Sequence, residues 1–354
     1  MEIQTNYNNM LEQLPQPAFL VKDGVVYQVN QAALNRGLSI GNPVTNLINI
    51  GQQEYSVFCD GRLSLTLTLN GVIHNASVVK CEQMDLFYLD SDYEASELRA
   101  FALTAQCLRD PLSKALSSID AIDKDNIKQS PELAQQVKKV NQSLYQILRT
   151  VSNMSDVTSY DHPRHLRMES RNVTSLLDEL LSQASDLAAS SGRTLEYALP
   201  NRDILCMIDS EKIERAVLNL ISNAIKFSPQ GSAVKVSMHT TKEKLYFSVQ
   251  NEISNIISNA DIFTRYMREP GLDARTAGIG LGIVMVRNAA IAHGGTLLFE
   301  HPSDSTIRFT MSITMKRKTE LQVNSPFALP YDYAGGYNHI LLELADILPS
   351  DLFE

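Results

Sequence analysis

Asn219, Asn223 and Lys226 recur at i, i+4 and i+7 within ERAVLNLISNAIKFSPQG, so on a helix they line one stripe of an otherwise apolar surface. Two carboxamides and an ammonium on such a stripe need polar partners. A metal-bound polyphosphate supplies them, because amide oxygens suit Mg²⁺ and an ammonium suits phosphate. Packing against other polar side chains supplies them equally well. Further along, Gly278, Gly280 and Gly282 stand in TAGIGLGIVMVRNAAIAHGG, directly before an apolar helical run. Glycines there permit positive φ and close backbone approach, and a helix N-terminus offers free N–H groups to an anion. Either feature alone is weak. Their order, with HGG closing the second helix, is far more specific.

These residues need a scaffold, and residues 168–317 read as one. A helix over 172–189, strands TLEYAL and ILCMID, and a helix from Ser210 come first. Strands AVKVSMHT and LYFSVQN, a helix near 281–293, and strands TLLFE and TIRFTMSIT follow. Helices alternating with an antiparallel or mixed sheet predict a two-layer α/β sandwich.

Residues 93–160 have a different period. Leu98, Phe101, Ala105, Leu108, Leu112, Ala115, Ile119 and Ile122 form an apolar seam spaced by threes and fours, and DKDNIKQSPE interrupts it. Ser130 and Pro131 suit the start of a new helix, along which Leu133, Val137, Val140, Leu144, Ile147, Val151 and Met154 form a second seam. One such hairpin leaves much of each stripe wet. Two copies paired as a four-helix bundle bury both, so the pattern itself predicts a homodimer.

Residues 1–90 read as a small α/β module. AFLVKDGVVYQVN gives two strands about Lys22-Asp23-Gly24, QAALNRG a short helix, and EYSVFC, RLSLTLTLNG and VIHNASVVK three β-rich runs closed by MDLFYLD. The order and lengths resemble a PAS sensor domain, whose ligand the sequence does not name. Residues 318–354 hold a Pro-rich link, NSPFALPYDYAGG, and an amphipathic helix, HILLELADIL, expected to dock on the ATPase-like region through Tyr331, Tyr333 and Tyr337.

The bulk numbers restrict the class. The net charge of −9 disfavours nucleic acid as a partner. No apolar run reaches the roughly 20 residues of a bilayer span, and the N-terminus lacks the basic and apolar pattern of a secretory signal. Cys59, Cys81, Cys107 and Cys206 are scattered, as free thiols of a reducing compartment would be. A cytoplasmic location is expected.

The asparagine box, the stretch Ile262-Phe263-Thr264-Arg265-Tyr266 and the GIGLGI box together resemble the ATP-binding domain of sensor histidine kinases. The seamed hairpin resembles their dimerisation and phosphotransfer domain, so the likeness covers about 93–317. The resemblance implies ATP and Mg²⁺ as cofactors. Asn219 and Asn223 would hold the metal, Lys226 would approach the phosphates, and Gly278, Gly280 and Gly282 would shape the lid hinge. It also implies a response regulator or a partner histidine kinase as partner.

Two departures stand against activity. The family's H-E-L-R-T-P-L becomes Gln106-Cys107-Leu108-Arg109-Asp110-Pro111-Leu112, which puts Gln106 at the phosphoacceptor position. A carboxamide nitrogen is no nucleophile, its lone pair being delocalised into the carbonyl. Neither hairpin helix offers another histidine. The adenine pattern D-x-G-x-G-I becomes Asn251-Glu252-Ile253-Ser254-Asn255-Ile256, and Arg215 takes a position the family gives to an acid or glutamine. Asn251 still accepts a hydrogen bond but without charge assistance, and a β-branched Ile253 is a poor substitute for glycine. The expectation is an α+β multidomain, degenerate sensor kinase that works as a scaffold without phosphorylating itself. The alternative is a nucleotide-using phosphatase or kinase of a response regulator, with Gln106 positioning the water.

Overall fold

The computed structural model describes residues 11–81, 83–89, 108, 112–116, 118–119, 130–159, 166–253, 281–315 and 337–353. Its centre is an 11-stranded mixed sheet ordered β2-β1-β6-β5-β4-β12-β13-β11-β10-β8, with β3 beside β4. The N-terminal strands are β1 (Ala18–Lys22), β2 (Val25–Val29), β3 (Ile48–Ile50), β4 (Arg62–Leu69), β5 (Val72–Cys81) and β6 (Met84–Leu89). Short helices α1 (Gln31–Asn35) and α2 (Gln52–Val57) lie between them. Phe19, Val21, Leu63, Leu65, Leu67, Val78 and Phe87 alternate along these strands into one buried cluster.

The remaining strands are β7 (Glu169–Asn172), β8 (Thr194–Ala198), β9 (Leu205–Ile208), β10 (Ala233–Thr240), β11 (Lys244–Glu252), β12 (Leu297–Ser303) and β13 (Thr306–Thr314). β7 and β9 form a separate antiparallel pair, and β8 joins β10 in parallel. The helices are α3 (Pro131–Ser159), α4 (Val173–Ala189), α5 (Ser210–Phe227), α6 (Leu281–Ala292) and α7 (His339–Leu344). Val234, Val236 and Met238 of β10 alternate with exposed residues, so one sheet face is wet there and the other packs on α4 and α5. The expected strands and helices between 172 and 314 all form.

Two expectations need correction. EYSVFC, expected as a strand, lies largely in α2, which follows Gly51 at φ 102°. Its β-prone composition is overridden by tertiary packing: Glu54 is 8% exposed and forms an ion pair with Lys244, while Ser312 Oγ donates to Glu54 Oε1 at 2.9 Å. The N-terminal and C-terminal sheets, read as separate, are one. β4 pairs antiparallel with β12 through Ser64 with Leu297, Leu63 with Leu298 and Arg62 with Phe299. Edge strands expose unpaired backbone groups, and this pairing satisfies two edges at once. Along α3 the seam is partly buried in the single chain, where Val151 is 3% exposed and Leu144 packs beside Leu148. Leu133, Val140 and Ile147 of the seam are exposed in the single chain, whereas Leu116 and Leu148, each one residue past a seam position, are buried against Leu342 of α7. Leu98, Phe101, Ala105 and Ile122 of the first seam lie outside the described residues.

The β4–β12 junction depends on a missing Cβ. Gly61 has φ +85°, and a Cβ there would lie 1.8 Å from the Phe299 carbonyl oxygen. Gly71, at φ +78°, has open space around it. Gly61→Ala is expected to destabilise by about 1–3 kcal/mol more than Gly71→Ala, because both pay the positive-φ strain but only the first pushes two backbones apart. Chemical denaturation of the two variants checks the difference.

Candidate functional site

The site is organised by α5, which is pinned at both ends. Asp209 caps it by accepting from the Lys212 N–H at 3.2 Å, and its second oxygen accepts from the Arg167 N–H at 2.9 Å. The Asp209 N–H donates to His293 Nε2 at 3.0 Å, so the proton of that ring sits on Nδ1, 2.7 Å from the Ala289 carbonyl. At the other end the Ser228 hydroxyl donates to the Ala224 carbonyl. Between these caps almost every residue from Arg215 to Ile225 is buried, which fixes the polar stripe with little freedom.

That stripe is not open. Asn219 is 1% exposed, and both ends of its carboxamide are engaged. Its Nδ2 donates to the Arg215 carbonyl at 2.9 Å and to Glu343 Oε2 at 3.2 Å, while its Oδ1 accepts from Arg149 Nη2 at 3.3 Å. Asn223 and Lys226 are half-buried on the same helix. Gly282, at the start of α6, faces both asparagines: a Cβ there would lie 2.8 Å from Asn219 Oδ1 and 3.6 Å from Asn223 Nδ2. The structure thus brings Gly282 to the asparagine face.

Glu343 is the centre of the arrangement. It is fully buried and lies between two guanidinium groups: Arg215 Nε donates to its Oε1 at 3.0 Å and Arg149 Nε to its Oε2 at 3.2 Å. Arg215 also donates to Asn153 Oδ1 at 2.9 Å, and Arg149 to Asp346 Oδ2 at 2.7 Å. Three chain segments, α3, α5 and the C-terminal segment around α7, therefore meet on one carboxylate. Apolar contacts complete the dock. Tyr337 packs edge-on against Tyr145 at 5.5 Å, Phe353 does so at 5.2 Å, and Gln142 donates to the Leu348 carbonyl at 2.6 Å.

This geometry decides how well a metal would fit. A divalent cation on Asn219 Oδ1 would sit beside the guanidinium that already donates to that atom. At about 4 Å and an effective dielectric near 20, such a pair repels by about 8 kcal/mol. As arranged, the donor set does not fit Mg²⁺. Nor does Glu343 replace a general base, since both its oxygens already accept hydrogen bonds from charged donors.

Asn251, 3% exposed on β11, donates to the Glu252 carbonyl at 2.8 Å, and the Ile253 N–H is taken by the Ser305 carbonyl at 2.9 Å. Gln106, Pro111, Gly278, Gly280 and the Ile262–Tyr266 stretch lie outside the described residues. Sequence reading missed Arg149 and Glu343. A signal existed for the second: Glu343 interrupts an apolar run in a segment short enough to be buried on all sides. Arg149, one residue past the buried Leu148, looks like any polar face of a helix.

Removing the shared carboxylate leaves two buried guanidinium groups, whereas removing one guanidinium leaves the carboxylate still held by the other. Glu343→Leu is therefore expected to cost about 3–5 kcal/mol and Arg215→Met distinctly less, as read from denaturation midpoints. Glu214, half-buried beside this cluster, has its carboxyl pKa raised, chiefly by burial, with His339 and Arg171 opposing. A folded pKa above the unfolded one means that the native state binds the proton more readily. Stability therefore falls as pH rises from about 4 through the folded value. Glu214→Gln is expected to melt higher than the parent at neutral pH and to match it below about pH 4.

Residues 208–317 match the family of histidine kinase-, DNA gyrase B- and HSP90-like ATPases. The adaptive-response sensory kinase SasA of Synechococcus elongatus is 26% identical over 253 residues, which is 66% of this chain and 65% of that protein. Sensor histidine kinase WalK of Bacillus subtilis is 32% identical over 127 residues, covering 34% of this chain and 21% of WalK. The solved structure of full-length ShkA in complex with AMPPNP shares the fold, with a TM-score of 0.50 at 19% identity over 63% of this chain and 47% of that one. The chain spans a fifth or less of the length of several other curated kinases it matches. With the helix–strand order and the asparagine face already in place, the match makes residues 208–317 a domain of the histidine kinase-, DNA gyrase B- and HSP90-like ATPase family.

Proposed function

We propose that the chain is a degenerate sensor histidine kinase that signals as a scaffold and does not phosphorylate itself. The observation that carries this reading is the state of Asn219, whose carboxamide is held between Arg149 and Glu343. The residue that would bind a metal in a working kinase is a structural link here. Gln106 at the acceptor position and Arg215 in place of an acid agree with it.

The rest of the chain supports a signalling role. The antiparallel strands β2-β1-β6-β5-β4, with helices between β2 and β4, suit a PAS-type sensory module at residues 1–90. That module would act on an ATPase-type unit, 168–317, through the shared sheet and the Glu54–Lys244 pair. Leu133, Val140 and Ile147, exposed along one stripe of α3, suit a homodimer formed through a hairpin at 93–160. A response regulator or a partner histidine kinase would read the shape of that dimer. A cytoplasmic location agrees with the absence, among the described residues, of any helix long and apolar enough to cross a membrane.

The test is incubation of the purified chain with γ-labelled Mg-ATP, beside a competent kinase. No acid-labile phosphate is expected on this chain. Acid-labile label on it, at a level comparable to the control, would sink the reading.

A further inference from the structure

Arg149, Arg215, Glu343 and Asp346 balance one another: two cations on α3 and α5, two anions on the C-terminal segment. The partition is uneven in a useful way. Both carboxylates belong to one short segment that docks as a unit, and both guanidinium groups belong to helices that stay. Withdrawal of the segment would leave two buried positive charges, Arg149 on Asn219 and Arg215 on Asn153. Such a pair cannot stand bare in a low-dielectric interior, so the segment leaves only if another anion arrives. The place Glu343 would vacate adjoins Asn219, which in turn faces Gly282 beside Asn223, and Lys226 lies one turn further along α5.

We propose that Arg149 stands where this kind of site would otherwise hold a divalent cation, and that Glu343 is the internal ligand of the anion site so formed. The triphosphate of a nucleotide displaces it without a metal ion. The inference rests on reading residues 208–317 as a nucleotide-type site in a non-phosphorylating kinase. A guanidinium offers planar paired donors to phosphate oxygens as it does to a carboxylate, so one anion exchanges for another on the same donors. No bond is made or broken beyond hydrogen bonds. The exchange also has a mechanical consequence. With Glu343 in place, α3 is tied to α5 through a common carboxylate. With a phosphate in place, Leu342 leaves Leu116 and Leu148, and the hairpin is released from the C-terminal segment. Occupancy of the site and the freedom of the hairpin are then the same equilibrium.

Calorimetric titration of the full chain with ATP, in EDTA and in excess Mg²⁺, tests this, with hydrogen exchange across Ile340–Leu348 read on the same samples. Binding in EDTA at least as tight as in Mg²⁺ is expected, with amide exchange of the segment about tenfold faster when ATP is bound. Asp346→Asn keeps Glu343 and so avoids stranding the guanidinium groups, which makes it the safer variant to fold. It is expected to tighten ATP several-fold, and Arg149→Gln to abolish metal-free binding. Binding only in Mg²⁺, binding with unchanged exchange of the segment, or no binding by either the parent or Asp346→Asn would each overturn the proposal. None of these outcomes bears on acid-labile phosphate, so failure here is separable from failure of the scaffold reading.

Discussion

One buried carboxylate fixes how the described parts of this chain are joined. Glu343 accepts from Arg215 and Arg149 and lies against Asn219, so α3, α5 and the C-terminal segment share a single polar contact. The cost of desolvating three charges is large, and it is offset only because each oxygen is matched by a donor at hydrogen-bond distance. The apolar contacts around it, Leu342 on Leu116 and Leu148, and Tyr337 and Phe353 on Tyr145, exclude water and make those bonds strong. The same contact removes Asn219 from metal chemistry. The packing and the proposed loss of kinase chemistry rest on one arrangement.

A second constraint acts at the β4–β12 junction. The β4–β12 pairing joins the N-terminal strands to the ATPase-type sheet edge to edge, and it needs a glycine at position 61. Glu54 on α2 reaches across to Lys244 and Ser312, placing a buried charge pair beside that seam. A shift in the N-terminal module would therefore be felt at β12 and β13 directly. In this arrangement α6, which connects the site to β12, stands between the two constraints.

The elements of the ATPase-type domain were legible because their periods are clean: alternation along β10 and β11, and a capped apolar helix from Ser210. The asparagine face was legible for the same reason, since helical spacing puts Asn219 and Asn223 on one stripe, whereas Gly282 on α6 was placed with them by the resemblance of its glycine box. Three things were not. The α2 segment reads as a strand by composition, and its tertiary contacts, Glu54 with Lys244 and Ser312 and Tyr55 with Asp85, are long-range. The β4–β12 junction joins residues far apart in sequence, and no local pattern specifies it. The role of Glu343 depends on Arg149 and Arg215, each distant in sequence, so its burial shows only as a lone acid in an apolar run. Arg215 itself was visible as a departure from the family pattern, but its meaning came from the partner it had found.

The most direct measurement is the position of metal in crystals of the full chain grown with ATP and Mn²⁺, read from manganese anomalous scattering. The account predicts no anomalous peak at Asn219 Oδ1, with the Arg149 guanidinium still donating to that oxygen. A manganese ion coordinated by Asn219 and Asn223, with Arg149 turned away, would contradict it.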